Sequence, residues 1–213
     1  MGQIESGWSL VPGVSAGESV HMNRSEIPLI LASASPRRRD LLQAAGFRPQ
    51  IRIPAVDETP LKGETARALV ERLAMEKAKS VSSEEAVIIA GDTVVQRDEE
   101  ILGKPSSPKE AVRMLESLSG RSHQIIGGWC VRRGRQLCHG VEVCEVEFRT
   151  LESSEISEYV HSGEPMDKAG AYAIQGGAGR FVTAFKGYWS NAIGLPLIPV
   201  TFTAEHLFMD ENI

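Results

Sequence analysis

Short unbroken apolar runs alternate along this chain with longer segments whose apolar residues recur every three or four positions. That alternation predicts buried strands with amphipathic helices packed on them. "PLILAS" (28–33) reads as a buried strand. Pro36 suits the first turn of a helix, and "RRRDLLQAAG" (37–46) puts Leu41, Leu42 and Ala45 on one face before Gly46 stops it. "RPQIRIPAV" (48–56) alternates as a strand with one wet face does. Thr65 to Val81 reads as a long helix with Leu69, Leu73, Ala74 and Lys77 at helical spacing. "AVIIAGDTVV" (86–95) is a second buried strand, expected to break at Gly91-Asp92, and 96–105 reads as a hairpin followed by a loop. "SPKEAVRMLESLSG" (107–120) starts at a capping Ser107, has Pro108 in its first turn and ends at Gly120. Residues 122–150 alternate through two or three antiparallel strands, and 153–163 is a short helix stopped by Gly163. Residues 167–182 are glycine-rich and loop-like, and the apolar segment 193–208 holds the last helix.

The pattern defines an α/β or α+β protein with a mixed sheet and helices packed against it. A length of 213 residues suffices for a substantial core. Residues 1–21 lack the basic start and apolar core of a signal peptide and are rich in Gly and Ser. They are expected to be a disordered extension or a non-native leader ahead of a start at Met22, leaving 22–213 as a single domain. A net charge of −5 argues against a nucleic-acid polymer or a membrane surface as partner, so any cationic function must come from a local cluster. No apolar run is long enough to span a bilayer. Three cysteines, Cys130, Cys138 and Cys144, form no CxxC pair and are expected as free thiols in a reducing compartment. A zinc site with His123 or His139 has no common spacing to support it.

Several stretches could carry chemistry. "SASPRRR" (33–39) offers hydroxyls, a helix N-terminus and guanidinium forks, which suit phosphate; it is equally a capped helix with a basic outer face. Asp92 in "IIAGDTVV" is a candidate metal ligand or base toward water, or else a turn-forming residue that bonds its own backbone. Lys104 in "GKP" and Lys168 in "EPMDKAGAY" could neutralise phosphates, with Asp167 beside Lys168 as a solvated pair in the plainer reading. Gln175 among glycines could read a base edge through its amide, or the glycines simply make turns. Asp57 and Glu58 in "AVDET" would complete a Mg²⁺ site with Asp92 if the fold gathers them; otherwise they form an acidic turn. No GxxxxGK[ST] or GxGxxG pattern occurs, which disfavours an ordinary ATPase or dinucleotide enzyme.

Taken together and in order, "LILASASPRRRDLL", "VDET", "MEKAKS", "AGDTVV", "LGKP", "AVRMLESLSGRSH", "EPMDKAGAYAIQG" and "GLPL" resemble the Maf family of nucleoside triphosphate pyrophosphatases, over nearly the whole chain from Leu29. The "DKAGAYAIQG" form is similar to the branch acting on dTTP and UTP. The resemblance implies two lobes around a central mixed sheet, with the site in the cleft between them. It implies cleavage between the α and β phosphates, a divalent cation (Mg²⁺ or Mn²⁺), a cytoplasmic setting and a homodimer. Matched motif by motif, Asp92 falls on the family's catalytic acidic residue, and Arg37, Thr93 and Gln175 on residues governing substrate choice. Ser33, Arg38, Glu58, Lys77, Lys104, Asp167 and Lys168 fall on the surrounding polar site, with Glu58 and Asp92 as the metal-side carboxylates. Arg37 and Arg38 are then the ligand-facing pair of the arginine run, and Arg39 faces solvent. In "KGYWSNAI" (186–193) the chain departs from the family's pattern, and Trp189 and Asn191 are expected to reshape the cleft wall. Two other readings stand beside dTTP and UTP hydrolysis: a pyrophosphatase for modified purine triphosphates, and a non-catalytic regulator of cell division.

Overall fold

The computed structural model describes residues 27–209; the expectation for residues 1–21 lies outside them. Strand β1 (Leu29–Ala32) leads into helix α1 (Pro36–Ala44), strand β2 (Gln50–Arg52), helix α2 (Ala66–Lys79) and the long strand β3 (Val87–Arg97). A short β4 (Glu100–Leu102) and helix α3 (Pro108–Leu118) precede the hairpin of β5 (Ser122–Arg133) and β6 (Gln136–Phe148). Helix α4 (Ser153–His161) is followed by 3-10 turns at Glu164–Asp167, Ala169–Ala171 and Gly177–Phe181. Strand β7 (Val182–Lys186) and helices α5 (Trp189–Ile193) and α6 (Leu197–Met209) complete the chain.

The strands form one seven-stranded sheet in the order β2-β1-β3-β5-β6-β7, with β4 paired to β3. β1 runs parallel to both neighbours and every other pairing is antiparallel, so the sheet is mixed, as the pattern of elements predicts. Alternation along β3 sorts its side chains between two layers. Val87 and Ile89 pack with Leu42 of α1 and Val200, Ala204 and Leu207 of α6. Ile88 and Ala90 pack with Ala74 and Ala78 of α2. The same alternation sends Asp92 toward α2 and Thr93 toward α1.

One break in the pairing places the cleft. β1 ends at Ala32 opposite Ala90, and β4 begins to pair at Val95, so Gly91 to Val94 have no partner strand on that edge. The gap opens at the carboxyl end of β1, beside the N-terminus of α1, where ligands of open α/β sheets collect. Helix α2 closes against the sheet beneath it. A Cβ on Gly128 of β5 would stand 2.2 Å from the Val70 carbonyl oxygen, so that approach requires glycine.

Several segments differ from the sequence reading. β3 does not break at Gly91-Asp92, because β5 pairs through it, with Gly91 opposite Trp129 and Asp92 opposite Gly128. β2 is only three residues, all exposed, and lies at the sheet edge with β1 as its one partner strand among the described residues. Residues 122–150, by contrast, form antiparallel strands as expected, two of them, which meet at a tight turn with Gly134 at φ 53°. Residues 193–208 hold the end of a separate short helix as well as α6, the two being divided at Gly194, φ 139°. Cys130 and Cys144 are buried, Cys138 is exposed, and all three are free.

Candidate active site

A cleft of about 620 Å³ lies over the gap in the sheet. That volume falls within the usual range for small-molecule sites, roughly 300–1,000 Å³. Its lining includes Ser33, Arg37, Arg38, Glu58, Lys77, Asp92, Thr93, Lys104, Asp167, Lys168 and Gln175, so the residues that the family's motifs pick out for catalysis, substrate choice and the surrounding polar site open onto the same space. Asp57 does not; its carboxylate accepts the Thr59 N–H at 2.9 Å in an exposed turn.

The floor begins with Lys77. It sits on the buried stripe of α2, next to Leu73 and Ala74, and its ammonium donates to Asp92 Oδ1 at 2.7 Å. The same ammonium lies 2.7 Å from Glu58 Oε1. Lys77 and Asp92 are almost fully enclosed, whereas Glu58 is more than half exposed. Burial pulls the Glu58 carboxyl upward, but the hydrogen bond and charge of Lys77, with Lys104 and Arg38, outweigh it and leave the group below the ordinary carboxylate range.

Arg38 is the second brace of the floor. Its Nε donates to the Gly194 carbonyl at 2.8 Å, Nη1 to Ser33 Oγ at 3.0 Å and Nη2 to Thr93 Oγ1 at 3.1 Å. One guanidinium therefore ties β1, β3 and the link between α5 and α6 together. Burial lowers its pKa from the ordinary value while Asp92 pushes the other way. Ser33 Oγ also accepts the Ser35 N–H at 3.2 Å, which shapes the turn into α1. Of the arginine run, Arg37 reaches across the opening to Asp167 at 3.5 Å, and Arg39 pairs with its exposed neighbour Asp40.

The opposite wall is irregular backbone. Lys168 donates to the Asp167 carboxylate and to the Glu164 carbonyl oxygen. Gln175 is exposed to the cleft, and neither its amide nor Lys104 has a hydrogen-bond or ion-pair partner among the described residues. Cations outnumber carboxylates in the lining: Arg37, Arg38, Lys77, Lys104 and Lys168 against Glu58, Asp92 and Asp167. In a chain of net charge −5, that local excess suits a polyanion. The sequence reading missed the apolar part of the lining, Leu69, Leu73, Val94, Ile101, Ile125 and Tyr172, whose ordinary core spacing gave no signal of a ligand. It also misplaced Trp189 and Asn191. Neither lines the cleft; α5 turns Asn191 into the sheet, where Nδ2 donates to the Glu142 carbonyl at 3.1 Å.

A metal has suitable donors here but no ready cage. Among the described residues no group of three or more His, Cys, Asp or Glu side chains is arranged to hold one. Glu58 and Asp92 nevertheless converge on one cation already, the Lys77 ammonium. Mg²⁺ is commonly held by one or two carboxylates plus substrate phosphates, so this pair fits a cation that arrives with a polyphosphate.

Fold and cleft together define an α/β protein with a cation-rich cleft over a gap in a mixed sheet. Comparison with known proteins takes this further. The chain belongs to the Maf family: the family model described as Maf-like protein matches residues 28–206. It is 48% identical over 174 residues to the dTTP/UTP pyrophosphatase of Anaeromyxobacter dehalogenans, covering 79% of this chain and 88% of that protein. The dTTP/UTP pyrophosphatase of Myxococcus xanthus is 48% identical over 178 residues, covering 83% and 90%. That of Symbiobacterium thermophilum is 45% identical over 171 residues, covering 79% and 88%.

Proposed function

We propose that this protein is a nucleoside triphosphate pyrophosphatase that hydrolyses dTTP and UTP to the nucleoside monophosphate and pyrophosphate. The observation that carries the reading is the cleft itself, where a cation-rich lining surrounds an enclosed Asp92–Lys77 pair. The names and similarity of the relatives favour dTTP and UTP as substrates.

The triphosphate lies across Arg37, Lys104 and Lys168, with the N-terminus of α1 and the Ser33 turn beneath it. These groups hold negative charge in place and offset what develops on the departing pyrophosphate, the kind of contribution that dominates phosphoryl chemistry. Lys77 holds Asp92 in one orientation. Asp92 takes a proton from water as the water oxygen bonds to the α phosphorus. The α–β bridging bond breaks, and pyrophosphate leaves with the electron pair. Arg38 and Thr93 keep Ser33 and the Gly194 carbonyl in register around this centre. Gln175 and the nearby backbone read the pyrimidine edge. Glu58 and Asp92 are the residues that would hold Mg²⁺ or Mn²⁺ with the phosphates; such an ion acidifies water and neutralises phosphate charge.

The proposal extends to a cytoplasmic homodimer that acts on free nucleotides and not on nucleic-acid polymers or membranes. Among the described residues no helix is long and apolar enough to cross a membrane. Ile198 and Phe202, exposed at 62% and 75% on α6, are surface that self-association would cover, and sedimentation measures the oligomer directly. The deciding experiment is pyrophosphate release from dTTP, UTP, dGTP, inosine triphosphate and a methylated GTP, with Mg²⁺ or Mn²⁺. Turnover confined to dTTP and UTP is expected. Preference for the modified purines moves the site to the other substrate class, and no turnover of any nucleotide favours the non-catalytic regulator.

A further inference from the structure

The segment that carries Gln175 has no strand or helix to hold it, yet both of its ends are tied to one corner of α4. The Ala173 N–H donates to the Tyr159 hydroxyl at 3.0 Å. The Gly177 N–H donates to Glu164 Oε2 at 3.0 Å. Tyr159 is 3% exposed and stacks edge-on to Phe181, so its hydroxyl is a fixed point. Tyr159 and Glu164 are themselves neighbours: burial raises the phenol pKa, the Ala173 N–H works against this, and the Glu164 carboxylate adds to the rise. The fit at Gly176 is close. A Cβ there would stand 2.1 Å from Glu164 Oε1, so the carboxylate lies directly on the backbone that follows Gln175. Between the tied ends, Ile174 is buried and only Gln175 and Gly176 open outward.

From this geometry we infer that Tyr159 and Glu164 act as a two-point clamp on residues 173–177, positioning Gln175 and thereby setting base selectivity without touching the substrate. The inference rests on the proposed pyrimidine triphosphatase function and deepens it. Their side chains differ in kind from the floor: neither touches Asp92, and the one link to a cation placed on the phosphates, Lys168 donating to the Glu164 carbonyl oxygen, is made by backbone that side-chain substitution leaves in place. Loosening the clamp therefore affects recognition of the base while the hold on the phosphates stays intact.

The test pairs three variants, Tyr159→Phe, Glu164→Ala and Glu164→Gln, with two classes of ligand. Kinetics on dTTP, UTP and dGTP report the base, and inorganic tripolyphosphate, as a competitive inhibitor, reports phosphate binding alone. Tyr159→Phe preserves the ring packing and removes the acceptor of the Ala173 N–H, so KM for dTTP and UTP rises about fivefold and dTTP-over-dGTP selectivity falls by a similar factor. In the same variant kcat and the tripolyphosphate inhibition constant stay within about twofold, below the effect of one lost hydrogen bond. Glu164→Ala behaves likewise, and Glu164→Gln, which keeps an oxygen acceptor for Gly177, restores most of the selectivity. Amide exchange at Ala173 and Gly177 reads the clamp without substrate and accelerates in Tyr159→Phe and Glu164→Ala. Unchanged selectivity in active variants overturns the clamp, as does a tripolyphosphate constant that rises in step with KM. Wild-type protein that leaves dTTP and UTP intact instead overturns the functional reading beneath it.

Discussion

The two sides of the cleft are built in opposite ways. The floor takes its charged groups from regular elements: Lys77 from the buried stripe of α2, Asp92 from the middle of β3, and Arg38 from the first turns of α1. Each is enclosed and each is paired. The far wall takes Gln175 and Lys168 from 3-10 turns and the links between them; the Gln175 segment is held by hydrogen bonds to Tyr159 and Glu164, and Lys168 by the Asp167 carboxylate and the Glu164 carbonyl oxygen. The comparison teaches a division of labour. Groups that carry buried charge need a rigid lattice, because an unpaired charge there is costly. Groups that read a neutral base need only position, which a few hydrogen bonds from backbone N–H groups supply.

Breaking the floor has the largest effect. Asp92→Asn keeps the shape and removes the proton acceptor, so kcat falls about 10²- to 10⁴-fold while the fold persists. Steady-state turnover together with a thermal melt checks both halves of that statement; near-wild-type turnover removes Asp92 from its role. Lys77→Met comes next. It leaves the enclosed Asp92 without its counter-ion and costs about 3 kcal/mol, the lower end for breaking a buried pair because Glu58 is largely solvated. Urea unfolding measures it, and a Lys77→Met, Asp92→Asn double variant recovers part of the loss if the stranded charge is its cause.

The wall responds to acid through His123. Burial lowers its pKa to about 4, and its Nε2 lies 2.7 Å from the Tyr172 hydroxyl, just before the clamped segment. With the folded pKa below the ordinary value of about 6.5, the unfolded chain takes up the proton first as pH falls. Stability is therefore full above about pH 6.5 and declines toward pH 4, by up to about 3 kcal/mol from this one group. Denaturant midpoints across that range check it, and His123→Leu removes this component of the slope whatever it does to the stability level. The smallest effect belongs to Gln175→Ala, which lowers dTTP-over-dGTP selectivity about fivefold. Its unfolding free energy moves by no more than about 0.5 kcal/mol, as expected of an exposed side chain with no partner. A large stability loss there contradicts the contrast between floor and wall.

How much of this was legible in the chain follows the same division. Lys77 was placed in the site by the family's motif; its position on a stripe with Leu69, Leu73 and Ala74 was legible as well, and a lysine at a core position calls for a partner. Its partner could not be read, because the meeting of α2 and β3 depends on Gly128 yielding to the Val70 carbonyl from a strand far along the sequence. Gly91-Asp92 looked like a strand break because both residue types are rare in strands, and the continuous β5 partner overrides that preference. Arg38 was read as half of a ligand-facing pair; all three of its guanidinium nitrogens are occupied by Ser33, Thr93 and Gly194, which only the folded chain reveals. Tyr159 and Glu164 gave no sequence signal as positioning residues, being an ordinary core tyrosine and a half-buried carboxylate at the start of a turn. The five-residue α5 is too short for periodicity to show, and so the burial of Asn191 was missed.

The central claim is attack of water on the α phosphorus in the cleft over Asp92. Hydrolysis of dTTP in ¹⁸O-labelled water, followed by ³¹P NMR of the products, tests it most directly. The account predicts dTMP carrying the label and unlabelled pyrophosphate, with both lost in Asp92→Asn. Release of dTDP with labelled inorganic phosphate, or label in the pyrophosphate, contradicts it.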